Sequence, residues 1–434
     1  MATTLSFQPP RGMRDFYPED MQRRNVVFNA WRQAAARSGF CEYDACVVES
    51  LDLLRRKAGE EILEQIYHFQ DKSGRDLALR PEMTPTLARM IVARQGALQF
   101  PLKWFTIAQC FRYERTTRGR KREHYQWNLD ILGEPGVAAE AEVLATAASA
   151  MRSLGLDQRH YRIRYNSRLL LSELLEKLGI SSAHHASTFL ALDKRGKIED
   201  SDIEKLLVAE GVASSVIPSV FKLLEINSLE QAFAVLGERS PAQTEIETFI
   251  AMLGAYGIAD LATFDIGVIR GLSYYTGIVF EAFDTSSGLR AIFGGGRYGK
   301  LLASIGGGDI SGVGLGFGDV VIAELLADLG LDQAANGATV DYTIGFMHPE
   351  QQLTGVQLAA ALRQQAKQVS LSLAPEKPKS FFAKASSGAR YAIYLGPDDL
   401  ATGTIKIKTL ADRSQRDVAI SDILQGADHR SADL

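Results

Sequence analysis

The stretch that most limits what this chain can fold into is residues 111–133, FRYERTTRGRKREHYQWNLDILG. Arg112 to Arg122 hold six basic residues and one acid, after which Gln126, Asn128 and Asp130 alternate with Trp127, Leu129 and Ile131. Side chains along a strand point to opposite faces, so the alternation predicts a strand with one polar and one packing face. The preceding run, WFTIAQCFRYE, is rich in β-branched and aromatic residues, and TTRGRKR has the Thr/Gly character of a loop. The reading is strand, basic loop, strand: a hairpin with arginines at its tip. A polar sheet face beside Arg112 and Glu114 can hold a ligand such as a polyphosphate carrying a purine. The guanidinium fork matches phosphate oxygens, and a carboxylate accepts from an exocyclic amine. A solvated basic tip is the plainer alternative, and the amides and carboxylate on the returning strand weigh toward a site.

At 434 residues the chain exceeds what one core supports, and two or three domains are expected. A net charge of −4 argues against a globally basic nucleic-acid coat and leaves such contacts to local patches. Cys41, Cys46 and Cys110 form no CxxC pair, and the seven histidines show no ligand-like spacing with them, so reduced thiols, no structural zinc and a cytoplasmic protein are expected. The N-terminal MATTLSFQPPRGMRDF lacks a long apolar run, and VVIAELLADLGL is interrupted by Glu324 and Asp328, so neither a signal peptide nor a membrane span is expected.

Along the chain, Val26, Phe28, Trp31 and Ala34 or Ala35 recur near helical spacing from Pro18 to Gly39, and FCEYDACVVES then reads as one extended strand. YHFQDKSGRDLAL reads as a hairpin turning at Lys72-Ser73-Gly74. It leads to Arg80-Pro81-Glu82-Met83-Thr84-Pro85 and a helix from near Thr86. The two prolines hold Glu82 and Thr84 stiffly, which suits a substrate's amino group; a helix N-terminus capped by Thr84 is the simpler alternative. The alanine-rich VAAEAEVLATAASAMRSLGL predicts a helix ending at Gly155. Residues 167–259 hold several amphipathic helices without catalytic spacing and read as a helical insertion.

In FDIGVIRGLSYYTGIVFE the flanks IGVI and GIVF are strand-like, with Arg270, Tyr274 and Tyr275 gathered between them. An arginine in an apolar strand is costly to bury unless it meets an anion, so Arg270 is either exposed or a ligand contact. The glycine runs FGGGRYG and GGGDISGVGLGFG permit close backbone approach and suit the floor of a nucleotide pocket. A linker is placed at residues 329–339, followed by alternating strands and helices that predict an α/β domain with a mixed sheet. Arg363 to Arg390 carry six basic residues and one acid, a face open to phosphates or simply solvated.

These residues resemble a known family. Arg112-Tyr113-Glu114, the basic loop and the carboxylate-bearing return strand resemble motif 2 of the class II aminoacyl-tRNA synthetases. Residues 264–281 match the histidine signature of histidyl-tRNA synthetases at nearly every position. The first helix and strand resemble motif 1, with Cys46 where the family has proline, and GVGLGFG with its helix resembles motif 3, with Val321 where the family has arginine. The resemblance implies an α+β fold: a class II synthetase-like antiparallel sheet flanked by helices over residues 1–328, with the insertion at about 167–259, and a C-terminal α/β anticodon-binding domain at 340–426. It implies a ligase that activates L-histidine with ATP to histidyl-adenylate and transfers it to the 3′ end of histidine tRNA. It also implies that magnesium accompanies ATP, that the chain forms a homodimer, and that the insertion touches the acceptor arm of tRNA, a purely structural appendage being the alternative.

By residue, the resemblance gives Arg270 and Arg112 the catalytic roles at the α-phosphate and carboxylate. Glu82 and Thr84 contact the α-amino group, and Gln126, Asp130, Tyr274 and Tyr275 line the histidine pocket. Glu114 faces the adenine, and Arg120 the outer phosphates. Asp130 stands where many members have Glu, one methylene longer, a gap suited to a bridging water. The motif 2 loop, with Arg115, Arg118, Arg120, Lys121 and Arg122, is expected to close over ATP and make up for Val321.

The alternative is the histidine-sensing regulatory subunit of ATP phosphoribosyltransferase, a non-catalytic paralogue. The altered motifs 1 and 3 fit it, whereas Arg270, the basic loop and a full C-terminal domain oppose it. A class II synthetase for another amino acid is opposed by the histidine signature. Arginines at phosphoryl transition states are worth roughly 10³ to 10⁵ in rate. Arg270→Ala is therefore expected to abolish histidine-dependent ATP–pyrophosphate exchange while leaving the circular dichroism spectrum unchanged; near-normal exchange would remove Arg270 from the mechanism.

Overall fold

The structure is a computed structural model that describes residues 7–55, 64–196, 198–269, 275–286, 288–299, 302–332, 340–386 and 388–426. Arg270 and Tyr274, and residues 333–339 of the linker, lie outside the described residues. Two compact units divide the chain, Met1–Asp332 and Gln333–Leu434.

Among the described residues the first unit is built on eleven strands: β1 (Cys41–Glu42), β2 (Val48–Ser50), β3 (His68–Gln70), β4 (Asp76–Leu79), β5 (Leu102–Phe111), β6 (Glu123–Leu132), β7 (Tyr161–Ser167), β8 (Ala262–Phe264), β9 (Tyr275–Asp284), β10 (Phe293–Tyr298) and β11 (Gly312–Gly318). Eight form one sheet in the order β1-β5-β6-β11-β10-β9-β7-β8, and β2-β4-β3 form a second. β5 and β6 pair antiparallel from Leu102↔Leu132 to Phe111↔Glu123, so the basic loop hangs from the end of a ten-residue hairpin.

The alternation of β6 decides which face is which. Trp127, Leu129 and Ile131 are buried in the main core with Trp31 and Phe317, and the Trp31 and Trp127 rings stack at 5.8 Å. Trp31 comes from helix α1 (Pro18–Arg37), whose buried Val27, Phe28, Trp31, Ala34 and Ala35 make the stripe that covers this side. Truncating one such buried aromatic costs about 3–5 kcal/mol. The opposite face of β6 is left polar.

Among the described residues, the remaining helices of the unit are α2 (Leu51–Arg55), α3 (Thr84–Arg94), α4 (Ala138–Ser153), the six-helix insertion α5 (Arg168–Lys177), α6 (His185–Leu192), α7 (Asp200–Ala209), α8 (Ile217–Leu223), α9 (Leu229–Leu236) and α10 (Pro241–Ala255), and α11 (Asp319–Asp328). The insertion connects β7 to β8, which pair parallel at the sheet edge.

Three local expectations are corrected. FCEYDACVVES is not one strand: Cys41–Glu42 pairs with β5 and Val48–Ser50 with β4, in different sheets. Between them the buried Arg80 guanidinium donates to the carbonyls of Ala45 and Gln109, both at 2.9 Å, taking a bond that a continuous strand would give its neighbour. Residues 266–269, IGVI, form a turn and loop, because the Asn166 amide donates to the carbonyls of Ile266 (2.9 Å) and Val268 (3.3 Å) and Asp265 accepts from the Gly267 N–H at 2.9 Å. The helix after Pro81 begins at Thr84, not near Thr86. Met83 occupies the cap position in helical conformation without a side-chain cap, so Thr84 is not the N-cap. β7, buried on alternate positions, has no counterpart in the sequence reading.

The second unit is a five-stranded sheet ordered β13-β12-β14-β15-β16, built from β12 (Val340–Phe346), β13 (Val369–Leu371), β14 (Ala389–Leu395), β15 (Thr404–Thr409) and β16 (Gln415–Ala419). β13, β12 and β14 run parallel and β14, β15 and β16 antiparallel, a mixed sheet. Helices α12 (Gln352–Gln364), α13 (Pro378–Ala385), α14 (Pro397–Thr402) and α15 (Ile420–Leu424) complete it. α14 and α15, of six and five residues, are too short to print a helical period in the sequence.

A buried ion pair locks the centre of the first unit. Arg297 of β10 makes a bidentate pair with Glu140 of α4 at 2.7 and 2.6 Å, and donates to the carbonyls of Glu134 (2.9 Å) and Gly136 (2.6 Å) and to the Ser311 hydroxyl (2.5 Å). Five N–H groups thus meet five acceptors. Removing one partner of a buried pair strands the other charge, at about 3–5 kcal/mol. Glu140→Ala is expected to lower the unfolding free energy by that amount in urea, and a loss under 1 kcal/mol would contradict the role given to this pair.

Candidate active site

The polar face of β6 looks onto β11, and glycines there make room for it. A Cβ at Gly314 would stand 2.6 Å from the Asp130 carboxylate oxygen, and one at Gly316 would stand 2.8 Å from the Gln126 amide nitrogen. Both are far inside any real contact, so only glycine lets these two side chains lie across the neighbouring strand. Gln126 donates to Asn128 at 3.0 Å, ordering the row.

Two cavities open on this face. The smaller, about 160 Å³, is lined by Glu82, Thr84, Arg112, Gln126, Asn128, Tyr275, Tyr298 and the glycines of β10 and β11. The larger, about 270 Å³, is lined by Arg112, Glu114, Arg120, Lys121, His124, Gln126, Glu281, Arg290 and Val321, among others. Arg112, Gln126, Gly294 and Gly316 line both, so the cavities adjoin at Arg112.

Local structure explains why Arg112 stands at that wall. Its N–H donates to the Arg122 carbonyl at 2.9 Å, closing the base of the basic loop, and its Nε donates to the Pro81 carbonyl at 2.9 Å. The Phe111 N–H donates to the Arg80 carbonyl at 3.0 Å. The loop base and the Pro81–Thr84 corner are thereby one assembly, and Glu82, buried at the corner, is carried to the same cavity.

Asp130 lies at the deep end. It is 1 % exposed; one oxygen accepts from the Tyr298 hydroxyl at 2.6 Å and the other has no hydrogen-bond partner among the described residues. Desolvation pushes its carboxyl up from 3.8 to about 7, against the pull of the Tyr298 hydroxyl. An orphaned buried oxygen of this kind carries a penalty that a ligand N–H relieves. On the wall of the larger cavity, desolvation first and the Arg112 charge second lower the His124 imidazole to about 3, which keeps it neutral.

The basic loop rests on α11. Arg118 pairs with Glu324 at 3.1 Å and Asp328 at 2.5 Å, and a Cβ on Gly119 would meet Val321 at 3.5 Å. Arg120 Nε stands 2.5 Å from Glu114, an ion pair in which the N–H is not aimed along the contact. Arg122 sits over the Tyr113 ring at 3.8 Å and donates to the Glu114 carbonyl at 3.2 Å. The start of α11 is fixed by Arg14, which bridges Glu123 (2.6 Å) and Asp319 (3.0 Å), while Asp319 accepts from the Tyr125 N–H at 2.8 Å. So the loop does lie at Val321, but Arg118, Arg120 and Arg122 are held by partners within the chain.

Of the residues singled out in the sequence, Glu82, Thr84, Arg112, Gln126 and Tyr275 line the smaller cavity, with Asp130 bonded to its Tyr298 wall, and Arg112, Glu114 and Arg120 line the larger. Arg270 and Tyr274 lie outside the described residues. Sequence reasoning missed Tyr298, His124, Glu281 and Arg290. Tyr298 had a signal, a hydroxyl-bearing aromatic closing the glycine run FGGGRYG; Arg290, in a turn, had none.

The family profile for histidyl-tRNA synthetase matches residues 12–318, and that for an anticodon binding domain matches residues 343–427. The chain is 39 % identical over 96 % of its length, and 86 % of the other chain, to the Arabidopsis thaliana protein named histidine–tRNA ligase, chloroplastic/mitochondrial. It is 40 % identical over 95 % of its length, and 96 % of the relative, to the histidine–tRNA ligase of Opitutus terrae. The crystal structure of histidyl-tRNA synthetase from Nostoc sp. PCC 7120 superposes with a TM-score of 0.79 at 22 % identity, covering 98 % of this chain and all of that one. With a sheet that turns its polar face to two adjoining cavities, and with relatives matched from end to end, the chain belongs to the histidyl-tRNA synthetase family.

Proposed function

We propose that the two cavities divide the substrates of histidine–tRNA ligation between them, histidine in the smaller and ATP in the larger, with Arg112 at their junction. The reaction class follows from the family: an ATP-consuming ligase acting on histidine and tRNA. The observation that carries the division is that the Arg112 side chain lines both cavities.

In the first step a histidine carboxylate oxygen attacks the α-phosphorus of ATP; a new O–P bond forms, the bond to the bridging oxygen breaks, and pyrophosphate leaves with the electron pair. Two anions must approach one another, and a cation between them lowers that repulsion and meets the charge that builds on the phosphorus. Arg112 takes that place, and Arg270 is assigned beside it. Glu82 and Thr84 receive the α-amino group. The imidazole reaches Asp130 and Tyr298, with Gln126, Tyr274 and Tyr275 around it. Glu114 turns to the adenine and Arg120 to the outer phosphates, which requires their ion pair to part. In the second step a hydroxyl oxygen of the terminal tRNA ribose attacks the histidyl carbonyl carbon; the ester C–O bond forms, the C–O bond to the adenylate phosphate breaks, and AMP leaves with the electron pair while the hydroxyl proton passes to the departing phosphate or to water.

Among the described residues no group of three His, Cys, Asp or Glu is spaced to hold a metal ion. Magnesium is assigned to arrive with the nucleotide, where phosphates and water would chiefly hold it. Residues 340–426 are assigned to the anticodon, the helical insertion at about 167–259 to the acceptor arm, and the working form to a cytoplasmic homodimer. No helix among the described residues is long and apolar enough to cross a membrane.

Purified chain is expected to catalyse histidine-dependent ATP–pyrophosphate exchange and to charge histidine tRNA. Binding of histidine without exchange would favour the regulatory-subunit alternative instead. Asp130 supplies a second test. Its folded-state pKa lies above the ordinary value, so the native state holds the proton more tightly than the unfolded chain; the stability this contributes is full below about pH 4 and is lost as pH rises to about 7. At 1.36 kcal/mol per unit, wild type should lose about 4 kcal/mol relative to Asp130→Asn across that window. Urea unfolding at several pH values measures the difference, and a difference flat with pH rules out a buried titrating acid at this position. The same variant is expected to raise the histidine KM about tenfold or more, by loss of a charge-assisted bond to the imidazole.

A further inference from the structure

The larger cavity poses a problem of charge. A triphosphate needs cations, and Val320 and Val321 present an apolar wall to this cavity. The basic loop lies directly over that wall, yet Arg118 is spent on Glu324 and Asp328, Arg120 faces Glu114 at 2.5 Å, and Arg122 lies over Tyr113. Arg290 lines the same cavity from the segment between β9 and β10. It is exposed, and among the described residues no carboxylate or carbonyl holds it.

Its backbone, in contrast, is fixed. The Asp284 carboxylate accepts from the N–H groups of Gly288 (3.2 Å) and Leu289 (3.1 Å), and the Ile292 N–H donates to the Ala282 carbonyl at 2.7 Å. Arg290 thus leaves the chain between two anchored points, with a long side chain free to swing over the cavity. A Glu281 carboxylate lines the same wall and opposes excess positive charge there, so the net field depends on whether Arg290 is present.

We propose that Arg290 binds the phosphates of ATP, supplying from the β9–β10 turn the positive charge that Val321 does not. The inference rests on the ligase reading and adds a substrate-binding residue to it. A free guanidinium meets phosphate oxygens as a fork of charge-assisted hydrogen bonds, each stronger than a neutral one. Its loss therefore falls on ATP rather than on histidine.

The test compares wild type, Arg290→Ala and Arg290→Lys in histidine-dependent ATP–pyrophosphate exchange, with calorimetric affinities for ATP and for adenosine measured alongside. Arg290→Ala is expected to raise the KM for ATP roughly tenfold or more, leave the KM for histidine within twofold, and weaken ATP but not adenosine; Arg290→Lys recovers part of the loss. An ATP KM for Arg290→Ala within twofold of wild type overturns the proposal. So does an equal loss of ATP and adenosine affinity, which would mean a distorted cavity rather than a missing phosphate contact. Absence of exchange in the wild type would overturn the ligase reading itself, an outcome distinct from normal exchange in both wild type and Arg290→Ala.

Discussion

The Arg297–Glu140 pair holds together what the site requires. Its guanidinium reaches from β10 to α4, to two carbonyls of the turn at Glu134 and Gly136, and to Ser311 just before β11. It therefore joins the end of β6, the start of α4 and the entry to β11 around one charge. The next residue in β10 is Tyr298, whose hydroxyl meets Asp130. The pairing of β10 with β9 shifts register between Gly296 and Tyr298. A shifted strand left to itself can slide; anchoring the side chain next to Tyr298 with five hydrogen bonds holds the register that keeps Tyr298 against Asp130. A buried pair is a weak source of net stability and a strong source of definition, because breaking it is so much worse than keeping it.

The hairpin, the two-faced strand and the polar row Gln126 to Asp130 were legible in the sequence because period-two alternation is a local signal, and Trp127, Leu129 and Ile131 have no other way to leave water. The glycines of β11 were legible as a ligand floor, although their immediate use is to admit Asp130 and Gln126 from the next strand. What failed to show was decided by side chains distant in sequence. Residues 266–269 have the composition of a strand, but Asn166, a hundred positions away, takes their carbonyls. Arg80 breaks the run from Cys41 to Ser50 in the same way. Arg290 in a polar turn looks like any surface arginine until β9 and β10 bring it to the cavity wall.

The small side chain of Val321 and the posture of the basic loop belong together. Glu324 and Asp328 stand one turn apart on α11 and bind Arg118, while Gly119 settles on Val321. A long cation at 321 would occupy the space the loop now fills, so a small apolar side chain there is what allows the loop to lie down. The Arg118 pairs are half-exposed and individually weak. They hold the loop without locking it.

In the division of substrates proposed above, Asp130 bears most directly on the choice of amino acid. An ordinary buried carboxylate would pay a large desolvation penalty in the empty pocket, but an acid that titrates near 7 can relieve it by taking up a proton. Histidine is the one side chain that brings both an N–H donor and a proton affinity in that same range. When the imidazole enters, two groups of similar affinity compete for one proton, and the hydrogen bond between them forms whichever holds it. An apolar analogue of the same size brings no donor. It would leave the second Asp130 oxygen dry and unpaired, and discrimination by a site built to bond a donor far exceeds discrimination by shape alone. Full burial is what lifts the proton affinity of Asp130 into the range of the ligand's.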